Sequence, residues 1–294
     1  MLSLTSSSTT LLLRAAARIP HLRSYSVAVT RGIPDSFVDA LSEHAATTES
    51  LSIQLARQQH EAYVQDLRGL IPTLELPALE DHPDCCFVED TVVAIGNTAV
   101  ITNPGHVSRR GEVDSIGQVL RQFGMNVVDM RETNEGAICD GGDVMFTGRH
   151  VFVGLSGRTN AAAAGILQES FRSHPVQVVD SPSLGGDVLH LKSIVTHLDS
   201  QTLVVPEGDA GDALIEKMQL TSLGYKTIRL DDIAACNLVV VNHSVLVQGS
   251  ASPKSLAILS REAAERDMKL KVINTSELAK KDAALTCCSI LLDI

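Results

Sequence analysis

An order of elements that recurs along the chain is the feature that most constrains its fold. Residues 87–95 and 99–102 read as two strands joined by a Gly-Asn turn. Val113, Ile116, Leu120 and Phe123 then fall at helical spacing, Gly124 stops the helix, and 125–130 reads as a strand. The same strand, strand, helix, strand order returns at 144–147, 150–154, 159–171 and 176–179. It returns again at 189–197, 202–205, 209–220 and 226–230, and once more at 238–241, 245–248, 253–267 and 271–273. Successive units begin roughly fifty residues apart, a period at which a single unit cannot bury its own apolar faces but an array can.

The chain ends supply a further unit. Residues 283–292, Ala-Ala-Leu-Thr-Cys-Cys-Ser-Ile-Leu-Leu, read as a short buried strand. On a strand Cys287 and Cys288 face opposite sides, so one thiol can meet a cavity while the other packs in the core. A strand at 25–29, a turn at Gly32-Ile33-Pro34 and a helix at 49–70 complete this unit. The expected fold class is α/β: a five-bladed, pseudo-symmetric α/β propeller of ββαβ units around a central channel. An ordinary open α/β sheet shows the same alternation.

A formal charge of -11 and a pI near 5.3 argue against nucleic acid or an anionic membrane as partner and suit a small cationic ligand. No run of eighteen apolar residues predicts a membrane-spanning helix. Cysteines at 85, 86, 139, 236, 287 and 288 lack both the CxxC spacing of a structural zinc site and the density of a disulfide scaffold, which points to a reducing compartment. From Met1 to Pro34 there is no acidic residue, while Arg14, Arg18, Arg23 and Arg31 sit among serines and threonines. That composition predicts a mitochondrial transit peptide or disordered leader at 1–25, ahead of a single catalytic domain at 26–294. A cytoplasmic location is the alternative.

Several polar residues stand where an apolar element is expected. Glu89 and Asp90 interrupt an apolar run, and a buried carboxylate there costs several kcal/mol unless it is paired or faces a polar cavity. Asp140-Gly141-Gly142-Asp143 sets two carboxylates around glycines that permit close backbone approach, although a tight turn needs nothing more. His190 heads one repeat between Leu189 and Leu191, as a core residue or a catalyst. Arg109 and Arg158 each follow the second strand of a repeat, and two guanidinium forks suit a carboxylate if they are not merely solvated.

Taken together, DCCFVED, PGHVSRR, CDGGDVMFTGRHVFVGLSGRTN, LHLKS and ALTCCS, in unbroken order over about residues 26–292, resemble the dimethylarginine dimethylaminohydrolases of the pentein, or amidinotransferase-like, superfamily. The resemblance implies Cys287 as nucleophile, His190 as general acid and base, and Asp140 as the carboxylate that orients the histidine and holds the guanidinium. It implies substrate-binding carboxylates at Asp84, Glu89 and Asp90, and a clamp on the substrate α-carboxylate at Arg109 and Arg158. The lid contact, a leucine in relatives, falls at Leu41 or Ser42. A second backbone contact falls at Lys281, beside Asp282, where relatives carry an aliphatic residue.

The activity so implied is hydrolysis of methylated arginines to citrulline and dimethylamine or methylamine, with no cofactor, and through it control of nitric oxide synthesis. No metal is required; Cys287 and His190 are both good zinc ligands, so zinc is expected as an inhibitor. One alternative is an arginine deiminase-like hydrolase that releases ammonia, since pocket volume decides between the two. The other is a non-catalytic arginine-binding module, which would dispense with Cys287 or His190.

Overall fold

The computed structural model describes residues 22–42, 50–180 and 189–294. The leader expected at 1–25 lies outside the described residues as far as residue 21. Strand β1 (Val27–Arg31) is followed by helix α1 (Ile53–Arg68) and strand β2 (Thr73–Leu76). Next come β3 (Val92–Ile95), β4 (Thr98–Ile101), α2 (Val113–Gln122), β5 (Asn126–Asp129) and the one-turn helix α3 (Met130–Thr133). The chain continues through β6 (Val144–Phe146), β7 (Val151–Leu155), α4 (Ala161–Ser170) and β8 (Val176–Asp180). Then follow β9 (Thr196–Asp199), β10 (Thr202–Pro206), α5 (Asp209–Lys217) and β11 (Lys226–Leu230). Last come β12 (Leu238–Val241), β13 (Ser244–Gln248), α6 (Pro253–Glu265), β14 (Lys269–Ile273), α7 (Ser276–Ala279) and β15 (Ile290–Leu292).

Local chemistry sets the helix boundaries. Ser52, Asn160 and Ser252 cap α1, α4 and α6 by accepting from backbone N–H groups three residues on, and Pro253 occupies the first turn of α6. Gly124, at φ +78°, ends α2 in a conformation that side chains resist.

Among the described residues the strands form five three-stranded sheets of one design. In β3-β4-β5, β6-β7-β8, β9-β10-β11 and β12-β13-β14, an antiparallel pair is followed by a helix and a strand parallel to the middle one. The fifth sheet joins the two ends of the chain: β15 is antiparallel to β1, which is parallel to β2. Strand β2 carries only half-buried and exposed residues, Thr73-Leu74-Glu75-Leu76, so no apolar run announces it in the sequence.

Apolar burial links each sheet to the next. Val100 packs in one cluster with Val144 and Val153, and Met145 and Phe152 pack with Leu203 and Val205. Val204 joins Val245, Leu246 joins Ala28 and Leu285, and Val29 and Ile290 join Val92 and Ile101. Each fully buried Val, Leu or Ile contributes about 1.5–3 kcal/mol. The first strands of all five sheets line one chamber of about 140 Å³, with Val92, Val144, Thr196, Leu238 and Ile290 among the wall residues.

Each of those first strands is preceded by a single 3-10 turn, and here the structure departs from the sequence expectation. Residues 87–95, 189–197 and 283–292 do not run as strands throughout: Val88–Thr91, Leu191–Ser193 and Leu285–Cys288 are 3-10 turns. Gly141–Asp143 and Ala234–Cys236 are the corresponding turns of the other two sheets. Bonds such as Ser193 N–H to His190 O (3.0 Å) and Cys287 N–H to Ala284 O (3.2 Å) close them. A largely buried turn lacks the alternation that distinguishes a strand, so in the sequence it merges with the strand after it.

Candidate active site

These turns bring polar residues from distant parts of the chain to one narrow cleft. Asp90 lies within the first turn, Asp140 and His190 stand at the heads of two others, and Cys287 lies within the last. The His190 ring meets Asp140 through Nε2 and Oδ2 at 3.0 Å. The second oxygen of Asp140 accepts the Gly105 N–H at 2.9 Å, and the Asp140 N–H donates to Thr159 Oγ1. This carboxylate is therefore held from two sides and can orient the ring.

Asp90 Oδ1 accepts the Gly142 N–H at 2.8 Å and lies 3.9 Å from His190 Nδ1, while Oδ2 accepts from Arg109 Nη1 at 2.6 Å. The close approach at Gly142 requires glycine, because a Cβ there would stand 2.6 Å from His190 Nδ1 and 2.9 Å from Asp90 Oδ1. Gly105 is constrained in the same way, since its Cβ would stand 2.5 Å from the Arg158 Cα. Below His190, Asp143 accepts the Leu191 N–H at 2.9 Å and the Ser156 hydroxyl at 2.6 Å, and Ser156 Oγ accepts the Arg158 N–H. One buried carboxylate thus ties the His190 loop to the Arg158 loop.

Burial and neighbouring charge set the protonation states. Burial works against the charged form of His190, but Asp90, the bond to Asp140 and Asp143 outweigh it and raise the imidazole to about 9. Burial would lift Asp90, yet His190, Arg109 and the Gly142 N–H hold it below the usual carboxylate range. Burial raises the Cys287 thiol well above its ordinary value, and Glu89 and Asp90 push it further the same way. Burial also raises Asp84, against the pull of Arg109 and the Leu41 N–H, which Asp84 Oδ1 accepts at 3.1 Å.

The cleft brings together Cys287, His190, Asp140, Asp84, Asp90, Arg109, Arg158, Leu41, Ser42, Lys281 and Asp282; Phe87, Leu189 and Ala283 complete its wall. Glu89 is not brought into this group. It faces the neighbouring chamber, where it accepts from Lys192 Nζ at 2.6 Å and Thr286 Oγ1 at 2.8 Å. The cation that a carboxylate in this run required is thus Lys192, two residues after His190. Lys281 donates to the carbonyls of Val38 (2.7 Å) and Ala40 (2.9 Å), fastening the segment that leads to Leu41.

Arg109 is buried, bonded to Asp90, Glu112 and two backbone carbonyls, whereas Arg158 is partly exposed. Sequence reasoning assigned no function to Glu112; its signal is the Arg109–Glu112 spacing of three at the start of a helix. Among the described residues, Asp90, Asp140 and His190 form a group of three whose ligand atoms lie within 4.8 Å of one another, close enough to share a metal ion.

A family model described as N,N dimethylarginine dimethylhydrolase, eukaryotic, matches residues 35–276. The chain belongs to the dimethylarginine dimethylaminohydrolase family. One relative in this family, the N(G),N(G)-dimethylarginine dimethylaminohydrolase of Streptomyces coelicolor, is 32% identical over 245 residues, covering 83% of this chain and 88% of the relative. A human protein named putative hydrolase DDAH2 is 32% identical over 278 residues, 91% of this chain and 94% of its own. The dimethylarginine dimethylaminohydrolase of Pseudomonas aeruginosa, solved as a Cys-to-Ser variant with citrulline, matches 92% of this chain and 100% of its own with a TM-score of 0.78 and 26% identity. The N-terminal domain of ArgZ, a cyanobacterial arginine dihydrolase, matches with a TM-score of 0.71 at 16% identity over 90% of this chain and 97% of its own, a likeness of fold alone.

Proposed function

We propose that this hydrolase converts asymmetric dimethylarginine and monomethylarginine to citrulline and the corresponding methylamine through a covalent intermediate on Cys287. The observation that carries the proposal is the meeting, in one cleft, of a thiol, an imidazole bonded to a fixed carboxylate, further acidic groups and two arginines. A substituted guanidinium is resonance-stabilised and weakly electrophilic, so it must be held by carboxylates such as Asp90 and Asp84 while sulfur attacks its central carbon. Burial and the acidic neighbours Glu89 and Asp90 favour the protonated thiol; a bound cation offsets those neighbours and favours the thiolate.

The C–S bond forms, and the tetrahedral carbon expels dimethylamine as that nitrogen takes a proton from His190, which its acidic surroundings keep charged at neutral pH. Water then attacks the S-alkylthiouronium carbon, His190 recovers a proton from that water, and the C–S bond breaks to give citrulline and the thiol.

The five sheets are proposed to close as a pseudo-fivefold propeller, supported by the chamber that their first strands share and by the apolar clusters that link each sheet to the next. Delivery to mitochondria by the basic leader and control of nitric oxide synthesis belong to the same proposal. Intact full-length protein found in the cytosol would remove the first of these. The activity itself is tested by product analysis. Purified protein given asymmetric dimethylarginine should yield citrulline and dimethylamine in equal amounts; ammonia from unmethylated arginine in preference would establish the deiminase alternative instead.

A further inference from the structure

Glu112 stands behind the cleft, 1% exposed, and takes no part in the chemistry proposed above. Its two oxygens accept from Arg109 Nε at 3.1 and 3.2 Å, and one of them also accepts from Nη2 at 2.9 Å. Arg109 Nη2 donates in addition to the carbonyl of Phe87 at 3.0 Å and more weakly to that of Asp84 at 3.4 Å, while Nη1 donates to Asp90. A guanidinium has five N–H groups. That leaves one N–H of Nη1 without an acceptor among the described residues, on a side chain that lines the cleft. Lys281, another cation of the wall, is engaged with the carbonyls of Val38 and Ala40. Asp90 and Glu112 together outweigh the charge of Arg109, so what Arg109 can offer a ligand is a directed hydrogen bond rather than a net positive field.

We propose that Glu112 is a positioning residue that grips the far edge of Arg109, aims its remaining N–H at the ligand's α-carboxylate, and so sets a preference for amino acids over their decarboxylated counterparts. This rests on the methylarginine reading of the cleft. A glutamine at 112 would offer one oxygen where Arg109 now finds two. Its amide N–H₂ would meet an arginine N–H, and donor against donor displaces the guanidinium. An aspartate keeps both oxygens and the charge, set back by one methylene.

The test is calorimetric binding of L-citrulline and of its decarboxylated counterpart, N-carbamoylputrescine, to the wild-type chain, Glu112→Gln and Glu112→Asp. Glu112→Gln should weaken citrulline about tenfold while N-carbamoylputrescine changes by less than about twofold, the scale of one charge-assisted hydrogen bond. Glu112→Asp should recover most of that loss, and if the glutamine variant does not fold, a smaller fall in the same ratio in Glu112→Asp is the result expected. Equal weakening of both ligands, or no weakening of either, overturns the assignment and makes Glu112 merely structural. A wild-type chain that binds neither ligand overturns the methylarginine reading and this inference with it, whereas one that binds citrulline with an unchanged ratio in both variants overturns only the inference.

Discussion

At the scale of single residues, the adjacent cysteines show how one bond of chain separates chemistry from packing. Cys287 lines the cleft, and Cys288, 1% exposed, packs in the core with Tyr63 and Leu285. The sequence expected this division from a strand; a 3-10 turn produces it instead, because successive side chains on so tight a turn also diverge. Cys287→Ser should reduce citrulline formation by roughly 10⁴-fold or more, as loss of a nucleophile does. Cys288→Ser should retain turnover and lower stability by about 1–3 kcal/mol, the cost of burying an imperfectly bonded hydroxyl. Steady-state kinetics and urea unfolding of the two variants measure both effects.

His60 is a second residue whose behaviour follows from its surroundings alone. It is 3% exposed on α1, its Nε2 has no partner among the described residues, and burial lowers it to about 4 in spite of Glu61. An unfolded histidine titrates near 6.5, so His60 contributes stability that is present above that value and is lost as pH falls toward and through 4. The span corresponds to about 3 kcal/mol. His60→Met should flatten this acid limb in urea unfolding measured between pH 6.5 and 4, while His197, lowered to about 3 chiefly by burial, keeps its own contribution.

At the scale of elements, the 3-10 turns decide where the chemistry sits. A strand would send Glu89 and Asp90 to opposite faces as a matter of register. The turn Val88–Thr91 does separate them, with Glu89 toward Lys192 and the chamber and Asp90 toward Arg109 and the cleft. The turns also lie close to one another, which the glycines of 140–143 permit: a Cβ on Gly141 would stand 2.0 Å from the Glu89 carbonyl oxygen. Gly142→Ala should therefore push His190 and Asp90 apart from their present positions. Activity should fall by about 10²-fold, as a displacement near 1 Å does. Stability should fall by only about 1–3 kcal/mol. Kinetics beside thermal unfolding of the same variant would show that split, and an active Gly142→Ala enzyme would mean that the turns yield more easily than their packing implies.

At the scale of the whole molecule, the last strand holds the first. Strand β15 pairs with β1, and Ile290 and Leu292, 6% and 0% exposed, pack with Val29, Val92 and Ile101. At about 1.5–3 kcal/mol for each buried aliphatic side chain, these two residues alone are worth a substantial part of the roughly 5–15 kcal/mol that keeps a domain folded. A chain ended after residue 289 should unfold at clearly lower urea concentration and over a broader range, because the sheet that joins both termini has lost its edge. Local signals were enough to establish the repeat and most strand and helix positions and to single out Asp90, Asp140, His190, Arg109, Arg158 and Cys287, whereas Asp84, Leu41, Ser42, Lys281 and Asp282 came only from the family resemblance. Period, turn glycines and polar interruptions are written in neighbours along the chain. The five buried turns, strand β2, the pairing of Glu89 with Lys192 and of Arg109 with both Asp90 and Glu112 were decided only by tertiary structure. A buried turn shows no alternation, and an ion pair across 103 residues of chain exists only once packing has excluded water from both partners.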